Sequence, residues 1–276
     1  MKKLLPILLC LPFIGFGQLT MIPDANFEQK LIDLGYDNGV INGSVYTQLI
    51  DSVTYLNINN SGISDLTGIE DFTALTELNC SYNVLTSLDV SNNTALTYLD
   101  CNANHLTSLD VSANTALTGC SCRSNNLDTL DVSSNIALTD LDCRFNQLTS
   151  LDVSNNTALV WLKCSSNQLT SLNVSGATAL GELYCFFNQL TTLDVSTNTA
   201  LQYLYCYSNQ LTSLNVSGAT ALGELYCHYN QLTTLDVSGA TSLNCSYNQL
   251  TTLDVSQNTA LNSLRCDHNQ LTSLDV

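Results

Sequence analysis

Ten of the twelve cysteines fall on a near-constant interval: Cys80, Cys101, Cys122, Cys143, Cys164, Cys185, Cys206 and Cys227 recur every 21 residues, Cys245 follows after 18, and Cys266 restores the 21. A chain that repeats at this length does not close around one central core. Each unit buries its apolar edge on its neighbours, and the product is a nearly one-dimensional stack. Around each cysteine one phrase recurs, as in Leu159, Leu162, Cys164, Asn167 and Leu169, followed by Thr170, Leu172, Val174, Ser175 and the next Ala179-Leu180.

That phrase, L-x-x-L-x-C-x-x-N-x-L, resembles the leucine-rich repeat with Cys in one Leu slot. The resemblance implies a leucine-rich-repeat solenoid. Its parallel β-sheet would line the concave face, and short irregular, extended or 3-10 segments the convex face. About ten repeats span residues 53–276. The opening Ile22-Pro23-Asp24-Ala25-Asn26-Phe27-Glu28 and the phrase L-T-x-L-D-V-S-x-N-T-A-L resemble exported repeat proteins of Bacteroidetes-type bacteria, and the repeats as a set resemble the internalin-like surface proteins. Such proteins commonly act as adhesins or protein-binding modules, often with a C-terminal sorting domain, a segment that this sequence does not show.

The two ends differ from the repeats. Lys2 and Lys3 precede an apolar run from Leu4 to Phe16 that closes on Gly15-Phe16-Gly17, the order of a secretory signal peptide over residues 1–17 with cleavage before Gln18. No later stretch approaches about 20 continuous apolar residues, so no membrane insertion is expected. Residues 18–52 read as an N-terminal helical cap: Asp24 is a candidate N-cap, Phe27, Leu31, Ile32 and Leu34 have helical spacing, and Gly35 is a stop signal. At the other end the chain stops at Leu274-Asp275-Val276 in mid-phrase, which predicts a fragment of a longer protein, secreted or held on the cell surface.

Charge narrows the partners. There are 24 acidic and 7 basic residues, and loss of Lys2 and Lys3 would leave 24 acids against 5 bases, an excess of 19. Nucleic acid and anionic surfaces repel such a molecule. Asp89, Asp110, Asp131, Asp152, Asp194, Asp236, Asp254 and Asp275 share one slot, with Asn173 and Asn215 replacing them in two repeats. Flanked by inward Leu and Val, this row faces outward and reads as a solvated ladder that keeps the stack soluble, with a row of weak calcium sites as the alternative. The cysteines take inward slots, and in-register strands about 4.8 Å apart hold their Cβ atoms wider than a relaxed disulfide, so they read as buried free thiols. Cys120, which replaces a second inward Leu, is the place for an exception. The Asn series from Asn83 to Asn269 reads as scaffold that satisfies backbone groups at the turn leaving each strand. Three histidines stand far apart in repeat register, and no nucleophile, phosphate-binding or metal motif accompanies them. The chain is therefore read as a binding module without enzymatic activity, cofactor or metal.

With Leu162 and Cys164 inward, Trp161, Lys163 and Ser165 face out, and the equivalent slots vary from repeat to repeat. Leu172 to Ser196 and Leu214 to Ser238 are identical except that Phe186-Phe187 becomes His228-Tyr229. Trp161, Tyr184, Phe186, Tyr203, Tyr205, Tyr207, Tyr226 and Tyr229 are expected to form one aromatic strip roughly 20 to 25 Å long on the concave face. Arg144 and Lys163 lie at its end, with Asp140 and Asp142 beside them either pairing or competing. The expected ligand is a protein, with a glycan or a purely structural role in a surface layer as alternatives.

Overall fold

The structure is a computed structural model that describes residues 17–237 and 239–275; the segment 1–16, on which the expected signal peptide falls, Ser238 and Val276 lie outside the described residues. The chain winds into a solenoid whose coils each contribute one three-residue strand to an 11-stranded parallel sheet, running from Tyr55–Asn57 to Ser263–Arg265 in chain order. Register is constant: Leu56 pairs Leu78, Leu78 pairs Leu99, and Leu183 pairs Leu204. The apolar columns therefore lie over one another. Leu78, Leu99, Leu162 and Leu204 are fully buried inside the coil, as are Cys80, Cys101 and Cys164.

Each coil leaves the sheet through the same device. The residue after the last outward strand position takes a left-handed conformation, at Tyr82, Ala103, Ser124, Phe145, Ser166, Phe187, Ser208, Tyr229, Tyr247 and His268, with φ between 51° and 57°. Non-glycine residues hold that geometry only where their surroundings impose it. Here the next residue imposes it. The Asn125 amide donates to the carbonyls of Cys122 in its own coil (3.0 Å) and Cys101 in the coil before (3.0 Å), and its Oδ1 accepts from Leu106 N–H (3.0 Å). Asn104, Asn146, Asn188 and Asn230 repeat the pattern. The Asn ladder is scaffold, as the sequence indicated.

A second Asn row does the same on the far side of the coil. There the chain makes two consecutive turns, Asn93 N–H to Val90 O (3.0 Å) and Leu96 N–H to Asn93 O (3.1 Å). Asn114 donates to Val90 O and Asn93 O, and Asn135 and Asn156 follow suit, all wholly buried. In three coils Ala177, Ala219 and Ala240 replace this Asn, each after a glycine, and at Gly176 and Gly218 the backbones close up instead. A Cβ at Gly176 would overlap the Ser154 carbonyl, and one at Gly218 that of Ser196. Close coil approach is what requires these two glycines. Beside them the Asp-row segments pair into short parallel ladders, Ser150–Asp152 with Ser171–Asn173 and Thr192–Asp194 with Ser213–Asn215. Asn173 donates to Asp152 Oδ2 (3.1 Å), where a second carboxylate would repel.

The Asp row is exposed and hydrogen-bonded at once. Asp89, Asp110 and Asp131 each accept a backbone N–H two residues on, from Ser91, Ser112 and Ser133, at 2.9 Å. Hydrogen bonds from those serines, side chain first and then backbone, hold the three carboxyls below their ordinary range.

At the N-terminal end the helix Ala25–Asp33 covers the first coil. One carboxylate joins the two: Asp24 caps the helix by accepting from Asn26 and Phe27 N–H, and its other oxygen accepts from Ser64 N–H (2.8 Å), Ser64 Oγ (2.7 Å) and Asp65 N–H (3.1 Å). Phe27 packs on Phe72 with ring centroids 6.3 Å apart. Gly35, at φ +81°, ends the helix.

The described cysteines, Cys80 to Cys266, are all free thiols, including Cys120. Burial pushes the Cys185 and Cys245 thiols up to about 12, and Cys80, Cys164 and Cys206 rise for the same first reason. Native protein treated with iodoacetamide at neutral pH should carry its label on Cys266, the one described cysteine that is not fully covered, and peptide mass mapping should find the inner ladder labelled only after denaturation. Asn125→Ala strands two carbonyls and one N–H in the core, and urea unfolding should show a loss of roughly 2–5 kcal/mol.

Candidate functional site: the aromatic strand face

The outward positions of successive strands lie side by side because the register never slips. Tyr184 pairs Tyr205, which pairs Tyr226, and neighbouring ring centroids are 5.0 Å apart in both steps. Two residues further along each coil a second stack forms: Phe186 on Tyr207 at 4.5 Å and 6° between planes, and Tyr207 on His228 at 4.5 Å and 13°. A third stack rises from the left-handed position, Tyr229 on Tyr247 at 4.4 Å and Tyr247 on His268 at 4.1 Å. Phe187 meets Phe186 and Tyr207 edge-on at 5.6 Å, and His228 lies 5.5 Å from Tyr229 and 6.4 Å from Tyr226, so the three rows form one surface.

Of the residues expected in the strip, Tyr184, Phe186, Tyr205, Tyr207, Tyr226 and Tyr229 come together. Phe187, His228, Tyr247 and His268 join them without having been placed there. Their shared signal is visible in hindsight: except for His228, each immediately precedes a ladder Asn, the register at which the backbone turns its side chain out. Trp161 and Tyr203 stand apart from the stacks. They occupy the first strand position, where the row reads Trp161, Glu182, Tyr203, Glu224, and neither makes a ring contact with another aromatic among the described residues. The expected single strip is therefore a stacked patch with a separate, alternating ridge beside it.

Arg144 and Lys163 are paired internally. Arg144 grips Asp142 with Nε to Oδ1 at 2.9 Å and Nη2 to Oδ2 at 2.5 Å, and Lys163 Nζ lies 3.8 Å from Asp140. Arg123 sits over the Phe145 ring, 5.1 Å from its centroid.

Two phenols anchor the patch to the ridge. Tyr184 donates to Glu182 Oε2 (2.8 Å) and Tyr205 to Glu224 Oε2 (2.6 Å). Burial, then the bond to Glu182, pushes the Tyr184 phenol up to about 12; Tyr205 is raised by burial and Glu224 in the same way. Burial and the nearby Arg265 hold His228 below the ordinary imidazole value, which favours a neutral ring in the stack. Among the described residues no three acidic, cysteine or histidine side chains converge as metal ligands. The face offers ring edges, two oriented carboxylates and phenolic oxygens, which is the equipment of recognition.

A comparison of the whole coil with solved structures then places the fold. The functional domain of InlJ from Listeria monocytogenes, described as including a cysteine ladder, is 37% identical, covers 94% of this chain and 64% of its own, and superposes with a TM-score of 0.72. This chain is an internalin-like leucine-rich-repeat protein. A leucine-rich-repeat protein of Leptospira interrogans matches at 29% identity over 83% of this chain and 64% of its own, TM-score 0.74. By sequence, internalin J of Listeria monocytogenes serotype 4b is 44% identical over 71 residues, which is 26% of this chain and 8% of that protein. The chain thus spans less than two thirds of the relatives it matches. No protein-family model matches it.

Alkaline titration followed by ultraviolet difference absorbance should show Tyr184 ionising near pH 12, after the exposed tyrosines, and Tyr184→Phe should cut the late phase, which Tyr205 shares, by one tyrosine. Because the folded phenol is raised, the stability it contributes is complete below about pH 10 and is lost as pH climbs toward 12.

Proposed function

We propose that the protein is an exported module that binds a protein partner through the stacked aromatic face. The internalin-like fold supports a protein-binding repeat module, and the observation that carries the reading here is the pair of face-to-face ring stacks on contiguous coils, flanked by the tilted and edge-on row Tyr184, Tyr205 and Tyr226. Aromatic surface of this extent on an otherwise acidic molecule is the composition of a hot spot, with large rigid side chains at low entropic cost. The stacking geometry favours protein over sugar. A sugar platform presents a free ring face, whereas Phe186, Tyr207 and His228 lie nearly parallel with their faces against one another. Export rests on the N-terminal Lys-apolar-Gly sequence, and a mature chain that starts at Gln18 is its consequence. Among the described residues no helix is long and apolar enough to cross a membrane.

The test is capture from host and bacterial surface extracts by the native protein and by a Tyr205→Ala/Tyr207→Ala/Tyr226→Ala variant whose circular dichroism and melting match a folded solenoid. Retention of a defined partner by the native protein and its loss with the variant is the expected result. Equal retention by both, or binding confined to a glycan array, sinks the reading. N-terminal sequencing of the secreted material checks the export half.

A further inference from the structure

We propose that the ridge Trp161, Glu182, Tyr203 and Glu224 is a seat for the cationic side chains of a basic segment in the partner. This rests on the strand face being the binding face, and it adds the chemistry of what is bound. In-register pairing sets the four residues side by side on consecutive strands. At about 4.8 Å per strand, Trp161 and Tyr203 stand roughly 10 Å apart with one carboxylate between them, and Glu224 flanks Tyr203 on its other side. An ammonium or guanidinium group over Glu182 reaches both rings within the approximately 6 Å at which the aromatic quadrupole attracts a cation.

Three features make the ridge selective for cations. First, its rings have free neighbours: Trp161 is 40% exposed, and neither Trp161 nor Tyr203 stacks on another ring among the described residues. Second, its carboxylates are aimed and unpaired. The Tyr184 and Tyr205 hydroxyls fix one oxygen of Glu182 and of Glu224, leaving the other to accept. Among the described residues neither glutamate has a lysine, arginine or histidine in ion-pairing range. Upstream, Asp140 in the same row and Asp142 beside it already hold Lys163 and Arg144, so the vacancy begins at Glu182. Third, the net charge of −17 draws a basic segment toward the molecule before contact, and the ridge then fixes its register.

Trp161 is the only tryptophan in the chain, so its fluorescence reports on the ridge alone. The probe is a nine-residue peptide with three lysines separated by Pro-Pro, in which polyproline geometry places successive lysines about 9 Å apart; its glutamate counterpart is the control. The lysine peptide should give a saturable Trp161 response and the glutamate peptide none. Glu182→Gln/Glu224→Gln should weaken the response at least tenfold, roughly the effect of removing one side of a close charge pair, while Asp131→Asn/Asp152→Asn on the opposite face should change it by no more than about twofold. The same loss in both variants would reduce the effect to net charge and overturn the proposal. So would the absence of a saturable response, or a response unaffected by Glu182→Gln/Glu224→Gln. Failure here leaves partner capture through Tyr205, Tyr207 and Tyr226 untouched, so the two readings fail separately.

Discussion

The solenoid depends on one hydrogen-bonded group, the inward Asn amide at the exit of each strand. A coil that turns inside a stack would leave carbonyls and N–H groups buried without water, and each such group carries a penalty of about 1–3 kcal/mol. Asn125 answers three at once and spans two coils in doing so. It therefore locks the register between coils as well as the turn within one. Everything on the outer face inherits that register. The aromatic stacks exist because equivalent positions on neighbouring coils cannot slide past one another.

The interval of the cysteines made the architecture legible from sequence: inward and outward positions and the parallel sheet followed from the repeat, and the helix with its Asp24 N-cap from local signals, whereas the antiparallel pairing of Leu19–Met21 with Ser44–Tyr46 beside that helix did not. What resisted was anything set by the distance between coils. Gly176 and Gly218 look like turn glycines until Ser154 and Ser196 are seen beneath them. The far-side Asn row was hidden in the S-x-N-T-A-L phrase because nothing in one repeat reveals that its amide reaches back to the preceding one. The binding face was legible as a list and illegible as a pattern. Outward positions could be named, but the separation of Trp161 and Tyr203 from the other rings came from their falling in the first strand column, where Glu182 and Glu224 alternate with them.

The same spacing governs the opposite face, where like charges meet. Asp89, Asp110 and Asp131 are tolerated in a row because each carboxylate turns back onto its own chain and accepts from a serine. At two of the three extra strand pairs Asn173 stands opposite Asp152 and Asn215 opposite Asp194, while at the third Asp254 faces Asp275. One face has been tuned to let identical residues coexist and the other to let different residues vary, and a single backbone supports both.

The free cysteines have a mechanical meaning. Among the described residues no disulfide ties one coil to the next, and each sheet strand pairs only with its immediate neighbours. Tension applied along the axis is then resisted by one coil interface at a time, so the stack yields by peeling in discrete steps. From Cys80 onward each step carries one sulfur from the dry interior into solvent, two at the coil of Cys120 and Cys122, and the length of chain paid out under load is written in the thiols that have become reactive.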